Sequence, residues 1–261
     1  MQIDIPEHSE QQRIADFLDD QVARIDNIIA ARRAQQGQVS EVRASRLADI
    51  FRSDNAWPLN VLLDRSPQYG VLVPKLQDVG VPFIRVGDLD RIASPDQLAN
   101  LPCISAEQSK EYSRTIVQDR DVLVSVVGSI DKAAIVNPEI AGSNVARAVA
   151  VLRPNSEVPS ELLYAWTKST QYLDQAKLAT GGDTAQPTLN MGDLKKFGVG
   201  VDGDLVAAGR EATSVMRSAE QEKRMFDRSI ALMTEMKRSL ITAAVTGEFD
   251  VSTADGSRVP V

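Results

Sequence analysis

The chain has 261 residues, 43% of them apolar, and its 29 basic and 36 acidic side chains give a formal net charge of -7. This length and apolar content are sufficient for a folded domain with its own core, which excludes a disordered tail. The acidity argues against indiscriminate nucleic-acid binding, which needs a basic footprint. A single cysteine and a single histidine exclude an internal disulfide framework and a His/Cys zinc site.

The sequence lacks the common signatures of an independent enzyme. No H-E-x-x-H, G-x-S-x-G or G-x-x-x-x-G-K-[ST] string is present, and the acidic residues are scattered. We therefore expect a non-catalytic chain that holds neither a metal nor a cofactor. It shows neither an apolar leader nor an 18-residue apolar run, so a cytoplasmic location without membrane insertion is expected.

The first predicted element is a long helix. From His8 to about Phe51 proline is absent and Gly37 is the one glycine, which predicts a helix of roughly 44 residues, about 65 Å long. Apolar residues recur along it at spacings of three and four, at Ile14, Leu18, Val22, Ile25 and Ile29. A stripe of this length needs a partner to cover it.

The middle of the chain, residues 55–201, changes character because prolines are spread through it. Short β-branched runs between turn residues predict strands. They lie at Val81–Val86, Asp121–Val127, Ala133–Val136 and Ala148–Leu152. One helix is predicted from Ser160 to Ala179, with Ser160 as its cap. Together these elements predict a mixed α/β globular domain.

A second long helix is predicted from about Asp204 to Val245. Its apolar stripe includes Phe226, Ile230, Met233 and Leu240, and Gly247 marks its end. Two long helices of similar length predict either an antiparallel coiled coil or a dimeric helical bundle, with the two stripes as its seam. A hairpin that only stabilises the chain is the simpler interpretation. The predicted fold class is α+β, divided into a first helix (1–54), a domain (55–201), a second helix (202–248) and a tail (249–261).

Several strings resemble the specificity subunits of type I restriction-modification systems. Ile5-Pro6 followed by EQQRIADFLD at positions 10–19 resembles the region after a target-recognition domain, and LITAAVTGEFDV at positions 240–251 resembles the tail of these subunits. Within the middle domain, positions 81–89, 104–105, 121–125 with Gly128, and 182–194 also follow the family pattern. The resemblance therefore covers most of the chain.

The resemblance implies a function in DNA recognition. In this family a target-recognition domain reads one half of a split duplex sequence, and the long helices set the spacing and seat methyltransferase subunits. Those subunits supply the S-adenosylmethionine chemistry, and restriction and translocase subunits join through them. The chain is thus expected to bind duplex DNA and methyltransferase subunits while having no cofactor of its own.

Two departures from the family pattern stand out. The chain has one recognition domain where family members usually have two, so we expect a half-length form that dimerises and reads a split palindrome. The Gly-Asp that commonly precedes the strand at position 122 is Arg120-Asp121, and Gly200 to Asp204 replaces an expected Pro-x-x-Glu-Gln. The contacts of the second helix with a methyltransferase could therefore differ.

Side chains in the polar loops are the candidates for DNA contact. The domain is nearly neutral, with 14 basic and 16 acidic residues between positions 55 and 201, so its cations must cluster if it binds DNA. Gln can pair with adenine, Lys and Arg with guanine, and Ser or Thr with phosphate or base. The candidates are Tyr69, Lys75, Arg114, Ser125, Ser129, Thr180, Thr184 and Gln186.

Three other functions remain open from the sequence. A coiled-coil scaffold that binds only proteins would suit the net acidity. A decoy half-subunit would occupy methyltransferase subunits without a DNA specificity of its own. A free-standing enzyme is the third, but we identify no site for one.

Overall fold

The structure is a computed structural model that describes residues 7–92, 100–181 and 187–247. The chain divides into two compact units: a central unit of residues 43–217, and a helical unit of residues 1–42 and 218–261. The central unit is longer than the predicted domain at 55–201 because the inner ends of both long helices join its core. Leu47, Phe51, Ala212 and Val215 are all buried there.

Seven α-helices and ten strands occur among the described residues. The helices are α1 His8–Ile50, α2 Leu59–Leu62, α3 Ala106–Glu111, α4 Ser160–Trp166, α5 Thr170–Ala179, α6 Met191–Leu194 and α7 Leu205–Thr246. The strands are β1 Trp57–Pro58, β2 Gln68–Tyr69, β3 Leu76–Gln77, β4 Val81–Ile84, β5 Cys103–Ile104, β6 Val122–Ser125, β7 Ala133–Ile135, β8 Asn144–Val145, β9 Val149–Leu152 and β10 Gly198–Val199. This confirms the predicted α+β class, both long helices and the four predicted strands.

One antiparallel sheet has the strand order β2-β9-β6-β7. Its two inner strands, β6 and β9, are buried at every position. Both faces of a strand in this position are covered, which explains why these segments are continuous apolar runs rather than alternating ones. Val122 pairs with Leu152 on one side and with Ile135 on the other.

A second sheet has the order β3-β5-β4-β8, in which β4 and β8 run parallel. The chain passes directly from β2 in the first sheet to the edge of β8, where the Val71 amide donates to the Val145 carbonyl at 2.8 Å. A Cβ at Gly70 would lie 2.0 Å from that carbonyl oxygen. Only glycine allows this close approach. Strands β1 and β10 form a separate two-stranded ribbon.

The predicted helix from Ser160 to Ala179 is two helices, α4 and α5. The break is at Ser169, whose hydroxyl donates to the Trp166 carbonyl at 2.7 Å and accepts the Tyr172 amide at 3.3 Å, so it caps α5. The break turns Trp166 and Tyr172 toward each other, with ring centroids 4.9 Å apart in an edge-on arrangement. The prediction that Ser160 caps the helix is wrong. Pro159 stands at the cap position of α4, and the Ser160 hydroxyl donates to the Arg120 carbonyl instead.

In the helical unit, α1 and α7 run antiparallel within one chain. Lys237 contacts Asp26 at 2.7 Å, and Gln36 donates to Asp227 at 2.7 Å. Residue numbers therefore rise along α1 by as much as they fall along α7, as they must in an antiparallel pair. Between the helices, Ile25, Ile29 and Leu240 are buried, and Leu18, Ile230 and Met233 pack against them. The remaining predicted seam residues, Ile14, Val22 and Phe226, are half-buried. The seam is therefore an intrachain contact.

Candidate nucleic-acid interface

Lys75 lies on an exposed segment that leads into β3. The Gln108 side chain of α3 fixes this segment from two directions: its oxygen accepts the Lys75 amide, and its nitrogen donates to the Val73 carbonyl, both at 2.9 Å. The Leu76–Gln77 strand then pairs with β5. Lys75 is thus carried on a backbone held by hydrogen bonds on both sides.

The same segment exposes four large apolar side chains, which the sequence analysis did not identify. Leu72, Val73, Leu76 and Val79 are 55%, 69%, 53% and 83% exposed. A rigid loop that presents several apolar side chains to solvent is typical of a binding surface. The signal in the sequence was the run VLVPKLQDVG, whose apolar residues follow neither the helical nor the strand repeat.

Arg114 and Tyr69 are brought close to this segment. Arg114 lies exposed in a 3-10 turn, Ser113–Thr115, that follows α3 and contacts β2. Tyr69 of β2 is half-buried, and its hydroxyl donates to the Leu189 carbonyl at 3.3 Å. Arg114 can therefore reach a ligand, whereas the hydroxyl of Tyr69 already has a partner within the domain.

Ser125 and Ser129 differ in what they can present. Ser125 is fully buried, and its hydroxyl exchanges hydrogen bonds with the backbone of Lys132 across the β6–β7 hairpin, at 3.1 and 3.2 Å. It therefore offers no hydroxyl to DNA in this structure, which argues against the contact predicted for it. Ser129 lies in the hairpin turn, half-buried, and donates to the Asp131 carboxylate.

A group of charges surrounds this hairpin turn. Lys132 forms an ion pair with Asp90, and the Lys168 amine donates to the Asp131 carbonyl at 2.7 Å. Burial lowers the pKa of Lys168, and the nearby Arg43 and Lys132 add to that effect, against the opposing charges of Asp131 and Asp90. The hydrogen bond from Ser129 lowers the pKa of Asp131. Sequence reasoning missed this cluster because its members lie on four separate elements.

Thr180 ends α5, where its hydroxyl donates to the Ala176 and Lys177 carbonyls at 3.0 and 3.2 Å. Its role in the structure is that of a helix cap. The other two candidates in this loop, Thr184 and Gln186, lie outside the described residues. Pro187 lies beside the hairpin turn, where the Gly128 amide donates to the Pro187 carbonyl at 2.9 Å. Pro187 is thus held next to Ser129.

The glycines at 198, 200 and 203 have the G-x-G-x-x-G spacing seen in dinucleotide sites, but they fill a structural role here. The amides of Gly198 and Gly200 donate to the side chains of Gln175 and Gln171, at 2.7 and 3.0 Å. A Cβ at Gly200 would lie 2.3 Å from the Ser53 carbonyl oxygen. The space that a pyrophosphate would need is occupied by the protein itself.

A polar cleft of about 620 Å³ lies beside a buried ion pair of the central unit. Arg153 and Asp121 form that pair, and Arg120 at the rim adopts a φ of 73°. This left-handed conformation favours glycine over other residues. Arg120 pairs with Glu161, which raises the pKa of Arg120 and lowers the pKa of Glu161.

The chain matches a curated protein in sequence. The chain is 28% identical over 185 residues to the type I restriction enzyme EcoBI specificity subunit of Escherichia coli. The chain is similar in sequence to a type I specificity subunit. The match covers 69% of this chain and 38% of that protein, so the chain spans well under half of its relative. No family model matches the chain.

Solved structures show the same fold. A chain from a structure on complex assembly and conformational transition of the type I R-M system superposes with a TM-score of 0.71 at 19% identity, covering 94% of this chain and 61% of that one. The HsdS subunit from Thermoanaerobacter tengcongensis gives a TM-score of 0.60 at 19% identity, covering 94% and 60%. The resemblance to specificity subunits, and the fold that it implied, are confirmed. None of the described helices is both long and apolar enough to cross a membrane.

Proposed function

We propose that this chain is the non-catalytic DNA-recognition subunit of a type I restriction-modification complex, in which its central unit reads one half of a split site. The observation that carries the proposal is the sequence match to a specificity subunit over 185 residues, together with the shared fold. The expected cytoplasmic location belongs to the same proposal, since the DNA target lies there.

The contact surface in this proposal combines two neighbourhoods of the central unit. One contains Lys75 and Arg114 around α3, and the other contains Ser129 and Pro187. The predicted residues Thr184 and Gln186, which lie outside the described residues, complete the set. Tyr69 and Thr180 would contribute structurally, because their hydroxyls donate to the protein's own carbonyls.

The helical unit would seat methyltransferase subunits, which carry S-adenosylmethionine, and through them the restriction and translocase subunits. The contacts between its two helices support this role. The ion pair between Asp26 and Lys237 and the buried cluster around Ile25 and Leu240 hold α1 and α7 together. A stiff pair of helices can keep a fixed spacing between half-sites, which a flexible linker cannot.

Two copies of the chain would pair through one edge of the helical unit, the edge opposite the ion pair between Asp26 and Lys237. We call this the open edge. Ile28 stands two residues beyond Asp26, and Met225 two residues before Asp227; two residues turn a helix by about 200°. Both therefore lie along the edge opposite the bridged carboxylates. Ile28, Val42, Met225 and Leu232 are 45%, 55%, 66% and 56% exposed.

This open edge has the properties of a self-complementary contact. Both helices contribute apolar side chains to it, and they run antiparallel, so a two-fold axis across the edge sets α1 of one copy against α7 of the other. A four-helix arrangement would cover side chains that are otherwise in water. Each copy then supplies one recognition domain, and the dimer reads a split palindrome.

Co-expression with a methyltransferase subunit of the same system tests the proposal. Plasmid DNA from cells that make both proteins should be methylated at one two-part sequence, and the chain should copurify with the methyltransferase. The methyltransferase alone is the control and should leave that sequence unmodified. Copurification without any sequence-dependent methylation would instead support the decoy or scaffold function that the net acidity favours.

A further inference from the structure

Three cations and two carboxylates lie close enough to one another around the β6–β7 hairpin turn of the central unit for their charges to interact. Arg43, Lys132 and Lys168 are the cations, and Asp90 and Asp131 are the carboxylates whose charges act on Lys168. The side chain of Lys132 is 30% exposed, so solvent reaches this cluster of charges. In a chain with a net charge of -7, an excess of positive charge at one place requires an explanation.

The carboxylates do not neutralise all of these cations. Asp90 pairs with Lys132, and Asp131 accepts the Ser129 hydroxyl. The ion pairs within the described ranges include neither Lys168 nor Arg43. The Lys168 amine donates to a backbone carbonyl and lies 5.8 Å from the centroid of the Tyr164 ring, but no carboxylate in the part of the chain that the structure describes pairs with it. The buried Nε of Arg43 has no acceptor among the described residues.

We propose that this cluster binds a phosphate group, with Lys168 and Arg43 as the principal donors and Lys132 and Ser129 at its rim. A phosphate supplies the negative charge and the several acceptor oxygens that these donors lack. The inference rests on the proposed function in naming its source, a backbone phosphate of duplex DNA. The cluster adjoins Ser129, whose neighbour Gly128 donates to the Pro187 carbonyl, so a phosphate held there would position the duplex without reading sequence.

The positive charge of Lys168 is unfavourable in the folded chain unless an anion binds beside it. Burial disfavours the charged amine of Lys168, and the neighbouring cations disfavour it further. A bound phosphate would reverse that effect, because an opposite charge favours the ammonium form. Removing the charge should therefore leave the fold at least as stable while it weakens the binding of the anion.

Binding to duplex DNA at several salt concentrations tests the proposal. Lys168→Met and Arg43→Met should each weaken binding about tenfold at low salt, equally for all sequences, and the salt slope should fall by about one. Lys168→Arg should restore much of the affinity. Lys196→Met removes an exposed lysine from the same unit and serves as the charge-matched control, with no change expected beyond that from net charge.

A second arm, without DNA, separates the possible sources of the phosphate. Inorganic phosphate should raise the unfolding temperature of the wild-type chain and not that of Lys168→Met. If that stabilisation occurs while the DNA salt slopes stay equal, the site holds free phosphate and the assignment to DNA is overturned. If neither measurement distinguishes the variants from the control, the site itself is refuted. A third outcome separates the two proposals. If the wild-type chain enriches no DNA sequence, but Lys168→Met still lowers the salt dependence of DNA binding, the proposed function is contradicted and this inference stands.

Discussion

Arg153 holds the carboxylate of Asp121 by two parallel hydrogen bonds, with Nε to Oδ1 at 2.7 Å and the terminal nitrogen to Oδ2 at 2.6 Å. The same guanidinium donates to the Ile116 carbonyl, and the Gln118 amide donates to Asp121. The side chains are 12% and 1% exposed. This pair fixes the turn that leads into β6, the inner strand of the first sheet.

Asp121→Asn should therefore destabilise the chain strongly. It leaves a buried guanidinium without its counter-charge, which typically costs about 3 to 5 kcal/mol of unfolding free energy. Asp119→Asn changes an exposed carboxylate of the same turn and is the matched control, with an expected change below about 0.5 kcal/mol. Urea denaturation of both variants measures the difference, and equal losses would show that the pair does not stabilise the turn.

Arg120 offers a test of backbone strain. Its φ of 73° costs a non-glycine residue about 1 kcal/mol or more, while its exposed ion pair with Glu161 returns at most about 1 kcal/mol. Arg120→Gly relieves the strain and loses the pair, so its stability should stay within about 1 kcal/mol of wild type. Arg120→Ala loses the pair and keeps the strain, and should be the less stable variant. Equal stabilities for Gly and Ala in denaturation would argue against a strained backbone.

Ile25 and Ile28 lie about one helical turn apart on α1 but belong to different surfaces. Ile25 packs in the seam between α1 and α7, whereas Ile28 lies on the open edge. Ile25 is 6% exposed and Ile28 is 45% exposed. Ile25→Asp should cost about 3 kcal/mol or more, because it buries an unpaired carboxylate between α1 and α7. Ile28→Asp should leave the helical content unchanged in circular dichroism and reduce the mass in light scattering to that of one chain. A wild-type chain that is already monomeric would contradict the proposed pairing.

Lys168 should make stability depend on pH in the alkaline range. Its pKa is lowered in the folded chain, chiefly by burial, so the folded state loses its proton at a lower pH than the unfolded state does. The penalty is complete at neutral pH and is relieved as the pH rises through the folded pKa toward the unfolded value. Lys168→Met should therefore be more stable than wild type at pH 7, with the difference shrinking as the pH rises. A constant difference would mean that burial of the charge is not its origin.

Local patterns were sufficient for most of the fold. Proline-free stretches with apolar residues three and four apart gave α1 and α7 to within a few residues, and the buried β-branched runs gave the strands around Val122 and Val149. The break at Ser169 was missed because a capping serine in the middle of a helical pattern is also compatible with an uninterrupted helix. The division into units at residues 43 and 217 depends on what the helix ends contact, which local patterns do not record.

The candidate site was predicted less completely than the fold. Lys75 and Arg114 occupy exposed positions, as a contact residue must. Ser125 is buried, since its place in the middle of an inner strand dictates burial whatever its polarity. The cluster of Arg43, Lys132 and Lys168 joins residues that are far apart along the chain, so no local pattern could reveal it.

The most direct test of the central claim is selection from random duplex DNA by the purified chain, carried out with and without its methyltransferase subunit. The proposal predicts enrichment of one two-part sequence whose halves are separated by a spacer of fixed length, and stronger enrichment when the methyltransferase is present. Recovery of unselected sequences in both cases, despite stable binding to the methyltransferase, would contradict a recognition function for this chain.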